Sequence, residues 1–509
     1  MKILSADQLS QADASTIEKQ QISSIDLMER VATLVFNKIH ERLNGAPVPI
    51  KVFCGIGKNG GDGLAIARHL IQHGYHVKVF ITNCSKSRSP EFLKNYDRIK
   101  NVTKDWPVLL SCEEDFPVIT EKDFIIDAIF GTGINRPITG WMVGLFEYLN
   151  NIPAFTAAID MPSGLYANQP LENARAVLKA DHTFTFQTPK LAFFLPHTGE
   201  YVGSFEVINI GLDPEFLSQV KPLAQMINRE AAQNMYRARK SFTHKGNYGH
   251  VICAGGSLGK MGSIALAAGA AVNSGAGKVT AYIPKHGNLM LQSTVIEAMT
   301  VLDPEEYFLS TFDIEIKDPV ISIGCGLGLA RDSYSAFAKA LSYQQKPMVI
   351  DADAIHMLAE DKDLLDKVPN GSILTPHDGE LVGLLGTWKN DYERLEKAKK
   401  FTIKHDLILV LKGAYTITVI GEGLYVNDSG NPGMATGGSG DVLTGMIASF
   451  MAQGYDTLTA TAFAIYIHGA SADLAAQTYA HEGVKASIIS SFVGPAILNL
   501  FRNPKTNQN

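Results

Sequence analysis

One stretch limits what this chain can fold into: Asn431 to Gly445, N-P-G-M-A-T-G-G-S-G-D-V-L-T-G, in which six of fifteen residues are glycine or proline. Val442, Met446 and Phe450 then recur every four residues, and so do Leu443, Ile447 and Met451. That is the period of a buried helical face. A glycine-rich loop is therefore expected to run straight into a helix. Gly437, Gly438 and Gly440 carry no Cβ to hold a ligand off the backbone. The first N–H groups of a helix have no intrahelical acceptor, and its dipole favours an anion there. Asp441 sits in that cradle. A carboxylate beside an anion either caps the turn or takes a proton from an attacking hydroxyl. This stretch alone leaves both readings open.

The chain has 509 residues, 46% hydrophobic and 19% charged, which predicts roughly two to four domains. Its formal net charge of −6 offers no basic excess for a phosphate backbone, so no nucleic-acid partner is expected. The five cysteines are scattered, with no C-x-x-C pair, which fits a reducing compartment and argues against structural zinc. The amino terminus M-K-I-L-S-A-D-Q does not read as a signal peptide, and no apolar run reaches the roughly 18 residues of a membrane span. A cytoplasmic protein, without a membrane partner and assembled as a homo-oligomer, is the expectation.

The first half opens with helices between Ile3 and about Asn44, with capping signals at Ser5 and Ser23. Ile50–Cys54 reads as a buried strand, Gly55 to Gly63 as a glycine-rich turn, Leu64 to His73 as a helix and Val77 to Ile81 as a second strand. That is a βαβ unit. Gly55, Gly57 and Gly60 satisfy G-x-G-x-x-G, but the second strand ends Ile81-Thr82-Asn83, without the acidic residue of a dinucleotide fold. The loop instead carries Asn59 and Asp62. Two further strands end in polar groups beside glycines: Phe124 to Asp127, followed by A-I-F-G-T-G, and Phe155 to Ile159, followed by D-M-P-S-G. Open α/β sheets bind ligands at strand carboxyl ends. Asn59, Asp127, Asp160 and Ser163 are thus expected to converge, although each aspartate alone also reads as a cap or turn former.

G-x-G-K-N-G-G-D-G, D-A-I-F-G-T-G and D-M-P-S-G-L, in that order, resemble the amino-terminal domain of the NAD(P)HX epimerases, as do Leu27-Met28-Glu29-Arg30 and Thr188-Pro189-Lys190. The resemblance implies a Rossmann-like domain, taken as residues 1–220, that interconverts the R and S epimers of hydrated NADH and NADPH. It places the hydrate on Lys58, Asn59, Gly60, Gly61 and Asp62, on Gly131, Thr132, Gly133, Ile134, Asn135, Arg136 and Pro137, and on Asp160. It makes Asn59, Asp127 and Ser163 ligands of potassium. The family's first loop usually has two asparagines, and here Lys58 replaces the first. Epimerisation at C6 needs proton transfer and a stabilised opened or iminium intermediate. Asp160 is the first choice for the catalytic carboxylate.

Past a linking segment near 215–240, apolar strand-like runs alternate with helical ones: His250 to Ala254, Lys278 to Ile283, Val320 to Ile323, Pro347 to Ile350, Ser372 to Leu374 and Leu407 to Leu411. This predicts a mostly parallel sheet with helices on both faces. The strand ends carry G-C-G-L-G at 324–328, D-A-D-A at 351–354, T-P-H-D-G-E at 375–380 and K-G-A-Y-T at 412–416. His377 alone reads as a satisfied structural histidine and Lys412 alone as a surface charge. With the glycine loop they make an anion pocket with a candidate base.

This half resembles the ribokinase-like fold. G-G-S-G-D, T-P-H-x-G-E and K-G-A-Y-T together are similar to the ADP- or ATP-dependent NAD(P)H-hydrate dehydratases. The second domain is taken as 221–505, and the whole chain looks like a bifunctional hydrate-repair enzyme acting on NADHX and NADPHX. The resemblance implies that Lys412, Gly413, Ala414, Tyr415, Thr416 and Gly440 hold ADP or ATP, with Mg2+. It places the hydrate on Ser263, Gly326, His377 and Asp441, with Asp441 activating the C6 hydroxyl. The rival reading is a vitamin-alcohol kinase fused to a non-catalytic Rossmann-like binding module; the retained Asn59, Asp127, Asp160 and Ser163 disfavour such a module.

Overall fold

The computed structural model describes residues 1–502, so residues 503–505 of the expected second domain lie outside the described residues. The chain forms two compact units: Lys2–Ala224 with Asn390–Tyr392, and Gln225–Lys389 with the chain from Glu393 and Met1. Both are α/β, as expected from the sequence.

In the first unit, helices Ala6–Gln20 and Ser24–Leu43 each open with a capping box, Ser5 with Gln8 and Ser23 with Asp26. The sheet runs in the order 108–110, 77–82, 50–54, 124–128, 155–159, 182–186, 204–208, with every pair parallel. The helix expected from Leu64 begins at Lys58, capped by Gly57, so Lys58–Asp62 is helical rather than loop. Glycine's poor helix propensity hides this in the sequence. Tertiary packing accounts for it: a Cβ on Gly60 would lie 1.7 Å from the Gly55 carbonyl oxygen. Only a bare backbone fits there.

The second unit's strands follow the order 224–227, 423–427, 417–420, 408–411, 373–374, 349–350, 320–323, 250–254, 278–283, 299–302. They are parallel from 408–411 to 299–302, and the 417–427 hairpin is antiparallel. Strands 224–227, 299–302 and, in the first unit, 108–110, 182–186 and 204–208 add to those read from the sequence. The helix after the central glycine loop spans Ser439–Ala452 and starts earlier than its apolar period suggests. Gly438 takes a left-handed turn (φ 89°) and stands at its N-cap, so Gly440 and Asp441 are already in the first turn.

Every residue from Val442 to Phe450 is buried. A helix apolar on all sides belongs in a core. It lies on helix Met261–Asn273 so closely that a Cβ on Gly445 would sit 2.0 Å from the Ala267 carbonyl oxygen. Gly445→Ala must push the two helices apart. The expected cost is about 1–3 kcal/mol, read as a lower urea midpoint in circular dichroism with no change in secondary-structure content.

Candidate functional site

The parallel run of each sheet reverses its strand order once, and ligands of open α/β sheets gather at the strand carboxyl ends beside such a reversal. In the first unit the reversal lies between 50–54 and 124–128. The carboxyl ends there deliver the Lys58 helix start, Asp127 and the 129–137 loop, and Asp160 to Ser163.

Asp127 is fully buried. It accepts from the Ser163 backbone N–H (2.7 Å), the Ser163 hydroxyl (2.5 Å) and the Ile129 N–H (3.2 Å). Burial pushes its carboxyl up to about 6 against those hydrogen bonds. Ser163 Oγ also accepts from Phe130 N–H at 2.8 Å. The side-chain nitrogen of Asn59 is buried without a partner. A half-turn of that amide would present its oxygen instead.

Asp160 has a left-handed backbone (φ 66°), an uncommon cost for a residue with a Cβ. Its carboxylate is pinned at both ends. Lys190 Nζ, fully buried, donates to Oδ1 at 2.6 Å, and the Thr132 N–H donates to Oδ2 at 3.0 Å. Gly131 passes between Asp160 and Asn59, where a Cβ would come within 2.8 Å of Asp160 Oδ2 and 3.3 Å of the Asn59 amide carbon. Among the described residues, the side chain of Asp62, only 9% exposed, has no hydrogen bond or ion pair. Burial, then the charges of Asp160 and Asp13, push its carboxyl well above the usual range. Burial and Asp160 likewise push Asp13 up to about 6. Gly133, Asn135, Arg136 and Pro137 are exposed, with Ile134 half-buried between them.

In the second unit the reversal lies between 250–254 and 320–323. Asp351, 2% exposed, directly follows strand 349–350. Lys412 Nζ lies 3.0 Å from its Oδ1, and the Thr444 hydroxyl donates to Oδ2 at 2.7 Å. Burial works against the charge on Asp351, but Lys412 together with the hydrogen bonds from Thr375 and Thr444 outweighs it, and the carboxyl falls below its usual range. Asp441, in the first turn of the 439–452 helix, presents a carboxylate oxygen within 4.8 Å of the Cys325 thiol and faces Ser263. Burial first, then the charge of Asp351, push its carboxyl up. A Cβ on Gly440 would lie 3.0 Å from Lys412 Nζ, and one on Gly326 (φ 64°) would lie 3.2 Å from Ser263 Cβ. Ser263, Gly326, Lys412, Gly440 and Asp441 therefore converge.

Gly413 to Thr416 form the turn that follows Lys412 between strands 408–411 and 417–420, with Gly413 and Ala414 exposed. His377 caps helix Asp378–Leu385: its Nδ1 accepts from the Glu380 N–H at 3.2 Å and its Nε2 lies 3.1 Å from the Glu380 carboxylate. The Glu380 carboxylate in turn faces the charges of Asp351 and Lys412.

Four side chains of these sites escape a sequence reading. Lys190 stands in a quoted motif, but nothing there assigns it to Asp160. Thr444 lies three residues past Asp441, on the same helical face. Cys325 looks like one more scattered thiol. His468, fully buried, lies 3.3 Å from Ser439 Oγ, and burial, then Lys412, push it down to about 4.

Two family models match: "YjeF-related protein N-terminus" over residues 24–192 and "NAD(P)H-hydrate dehydratase" over 250–493. The "Bifunctional NAD(P)H-hydrate repair enzyme Nnr" of Moorella thermoacetica is 34% identical over 99% of this chain and 98% of its own. The chain belongs to the bifunctional NAD(P)H-hydrate repair enzymes. The Escherichia coli repair enzyme is 30% identical, covering 90% of this chain and 87% of its own. A solved ADP/ATP-dependent NAD(P)H-hydrate dehydratase from Bacillus subtilis, co-crystallised with ATP/Mg2+, is 27% identical over 54% of this chain and 99% of its own, with a TM-score of 0.48. Among the described residues of this repair enzyme no helix is long and apolar enough to cross a membrane.

The Lys190–Asp160 pair gives a stability prediction. Removing one partner of a buried pair leaves an uncompensated charge, so Lys190→Met should cost about 3–5 kcal/mol. In thermal melts, adding Asp160→Asn should recover part of that loss.

Proposed function

We propose that this chain repairs hydrated NADH and NADPH in two steps, one in each unit. The first unit interconverts the R and S epimers. The second, using a nucleotide, dehydrates the S epimer to NAD(P)H, with AMP and phosphate released when the nucleotide is ADP. The observation that carries the reading is Asp441. It stands in the first turn of a helix, next to the Gly440 that lies against the Lys412 ammonium, with burial and then Asp351 raising its proton affinity.

In the second unit Asp441 takes the proton of the C6 hydroxyl. The freed oxygen attacks the terminal phosphoryl group of the nucleotide, and the bond to its bridging oxygen breaks. Phosphate then leaves C6 with its bonding pair, the ring nitrogen supplies electrons, and loss of a C5 proton restores the dihydronicotinamide. Hydroxide is a poor leaving group and phosphate a good one, which is why the nucleotide is consumed. Lys412 to Thr416 and Gly440 hold the nucleotide, and the Lys412 charge with the free N–H groups of the 439 helix start offset charge on the transferring group. Ser263, Gly326 and His377 line the hydrate side. Mg2+ accompanies the nucleotide phosphates.

In the first unit, Asp160 faces the hydrate, with Lys190 keeping its carboxylate in place. Lys58 to Asp62 and Gly131 to Pro137 complete the pocket. Potassium belongs at Asn59, Asp127 and Ser163. The fit rests on the unpartnered Asn59 amide, the hard oxygen donors and a buried carboxylate that a cation would keep ionised. We place the enzyme in the cytoplasm, where its five free cysteines stay reduced, and as a homo-oligomer.

Incubating the protein with hydrated NADH, Mg2+ and either ADP or ATP should regenerate absorbance at 340 nm; no regain with either nucleotide would remove the dehydratase assignment. Asp441→Asn should lower this rate by about 100-fold or more while nucleotide binding changes little. For the first unit, Asp160→Asn should leave the S epimer repaired while the R epimer falls to its spontaneous rate of inversion, followed by separating the epimers chromatographically.

A further inference from the structure

The Cys325 thiol, Asp351 and Asp441 each present an atom within 4.8 Å of the others, yet the reaction as derived uses only Asp441. Asp351 is the member tied to every wall of the site. One oxygen holds Lys412 Nζ at 3.0 Å, and the other accepts from Thr444 at 2.7 Å, one turn along the helix from Asp441. Cys325 Sγ, on the turn after strand 320–323, lies 4.0 Å from that second oxygen. The Lys412 ammonium in turn crowds Gly440, where a Cβ would meet it at 3.0 Å and Asp351 Oδ2 at 3.9 Å. A side chain at 440 would disturb this arrangement, so the lysine, the carboxylate and the bare helix start form one fitted set.

We propose that Asp351 is a positioning residue for the nucleotide-dependent step: it holds the Lys412 ammonium over the first turn of the 439–452 helix and supplies the negative charge against which Asp441 works. This rests on the dehydratase reading of the second unit. Asp351 is nearly inaccessible. It acts through its neighbours. Without it, a mostly buried ammonium loses its counter-charge and its tether to the phosphate side of the pocket. With it, two carboxylates share a confined space, and the one without a lysine partner resists ionisation, which suits a base that must accept a proton near neutral pH.

The charged and titratable groups facing Asp441 and the pair beside it are Asp351, Lys412, Cys325, Glu380 with its partner His377, and His468 from the helix below. Of these, Asp351 is the anion that most raises Asp441 after burial itself.

The test is the 340 nm repair assay on the full-length enzyme, run from pH 5 to 9 with wild type, Asp351→Asn and Asp351→Glu. Removing the Asp351 charge lowers the proton affinity of Asp441, so the acid limb of kcat/KM for the hydrate should move to lower pH in Asp351→Asn. kcat near neutral pH should fall by about 10-fold to 100-fold as the base weakens. The KM for the nucleotide should rise about 10-fold as Lys412 loses a charged hydrogen bond. Asp351→Glu keeps the charge and misplaces the lysine, so its acid limb should stay near wild type while its nucleotide KM still rises. An acid limb unmoved in Asp351→Asn overturns the inference, and so does an unchanged nucleotide KM in either variant. If Asp351→Asn does not accumulate folded, the nucleotide KM of Asp351→Glu decides alone. A wild-type enzyme with no nucleotide-driven recovery would overturn the dehydratase reading itself, a different result from an active wild type with an insensitive Asp351→Asn.

Discussion

The second site depends on how closely two helices meet. The 439–452 helix can bring its first turn to the strand ends only because Gly445 lets it rest on the Ala267 carbonyl of helix 261–273. From that contact the rest follows. Gly440 comes to lie against the Lys412 ammonium, Thr444 reaches Asp351, and Asp441 meets Ser263 and Cys325. A displacement of about 1 Å at a reacting centre can cost 100-fold in rate. A methyl group deep in the core, well away from the chemistry, is therefore able to control it.

The two units answer one electrostatic problem in the same way. Each gathers carboxylates at the strand ends of a parallel sheet, where helix starts favour negative charge but burial opposes it. Each then ties one carboxylate to a lysine, Asp160 to the fully buried Lys190 and Asp351 to the mostly buried Lys412, and leaves another without such a partner among the described residues, Asp62 and Asp441. The tied member is held in place by its lysine, and in Asp351 the carboxyl also falls below its usual range. The untied one has its proton affinity raised by burial and by the tied one's charge. Pushing apart the proton affinities of neighbouring groups is how a site obtains distinct acid and base roles at one pH.

His377 illustrates a different outcome. The sequence allows it to be a satisfied structural histidine or part of the pocket, and its ring is engaged in capping a helix through Glu380. Its link to the anion side runs through the Glu380 carboxylate, which faces Lys412 and Asp351. Capping and function need not exclude each other, since a ring fixed by its cap is already oriented for a ligand.

Much of this protein was legible in its residues. The central strands, the two capping boxes, the alternation that makes parallel sheets and the polar groups at strand ends follow from local chemistry: apolar runs bury, and Ser, Asp and Gly mark ends. The two helix starts at Lys58 and Ser439 were not legible, because glycine lowers helix propensity and so looks like loop. They are helical because Gly60 packs on the Gly55 carbonyl and Gly438 turns left-handed at the cap, contacts that exist only once the chain has folded. The pairings of Lys190 with Asp160 and of Lys412 and Thr444 with Asp351 belong to the same class. Sequence fixes which groups stand at the ends of strands; which of them meet depends on strand order, and strand order is decided by long-range packing that leaves no local mark.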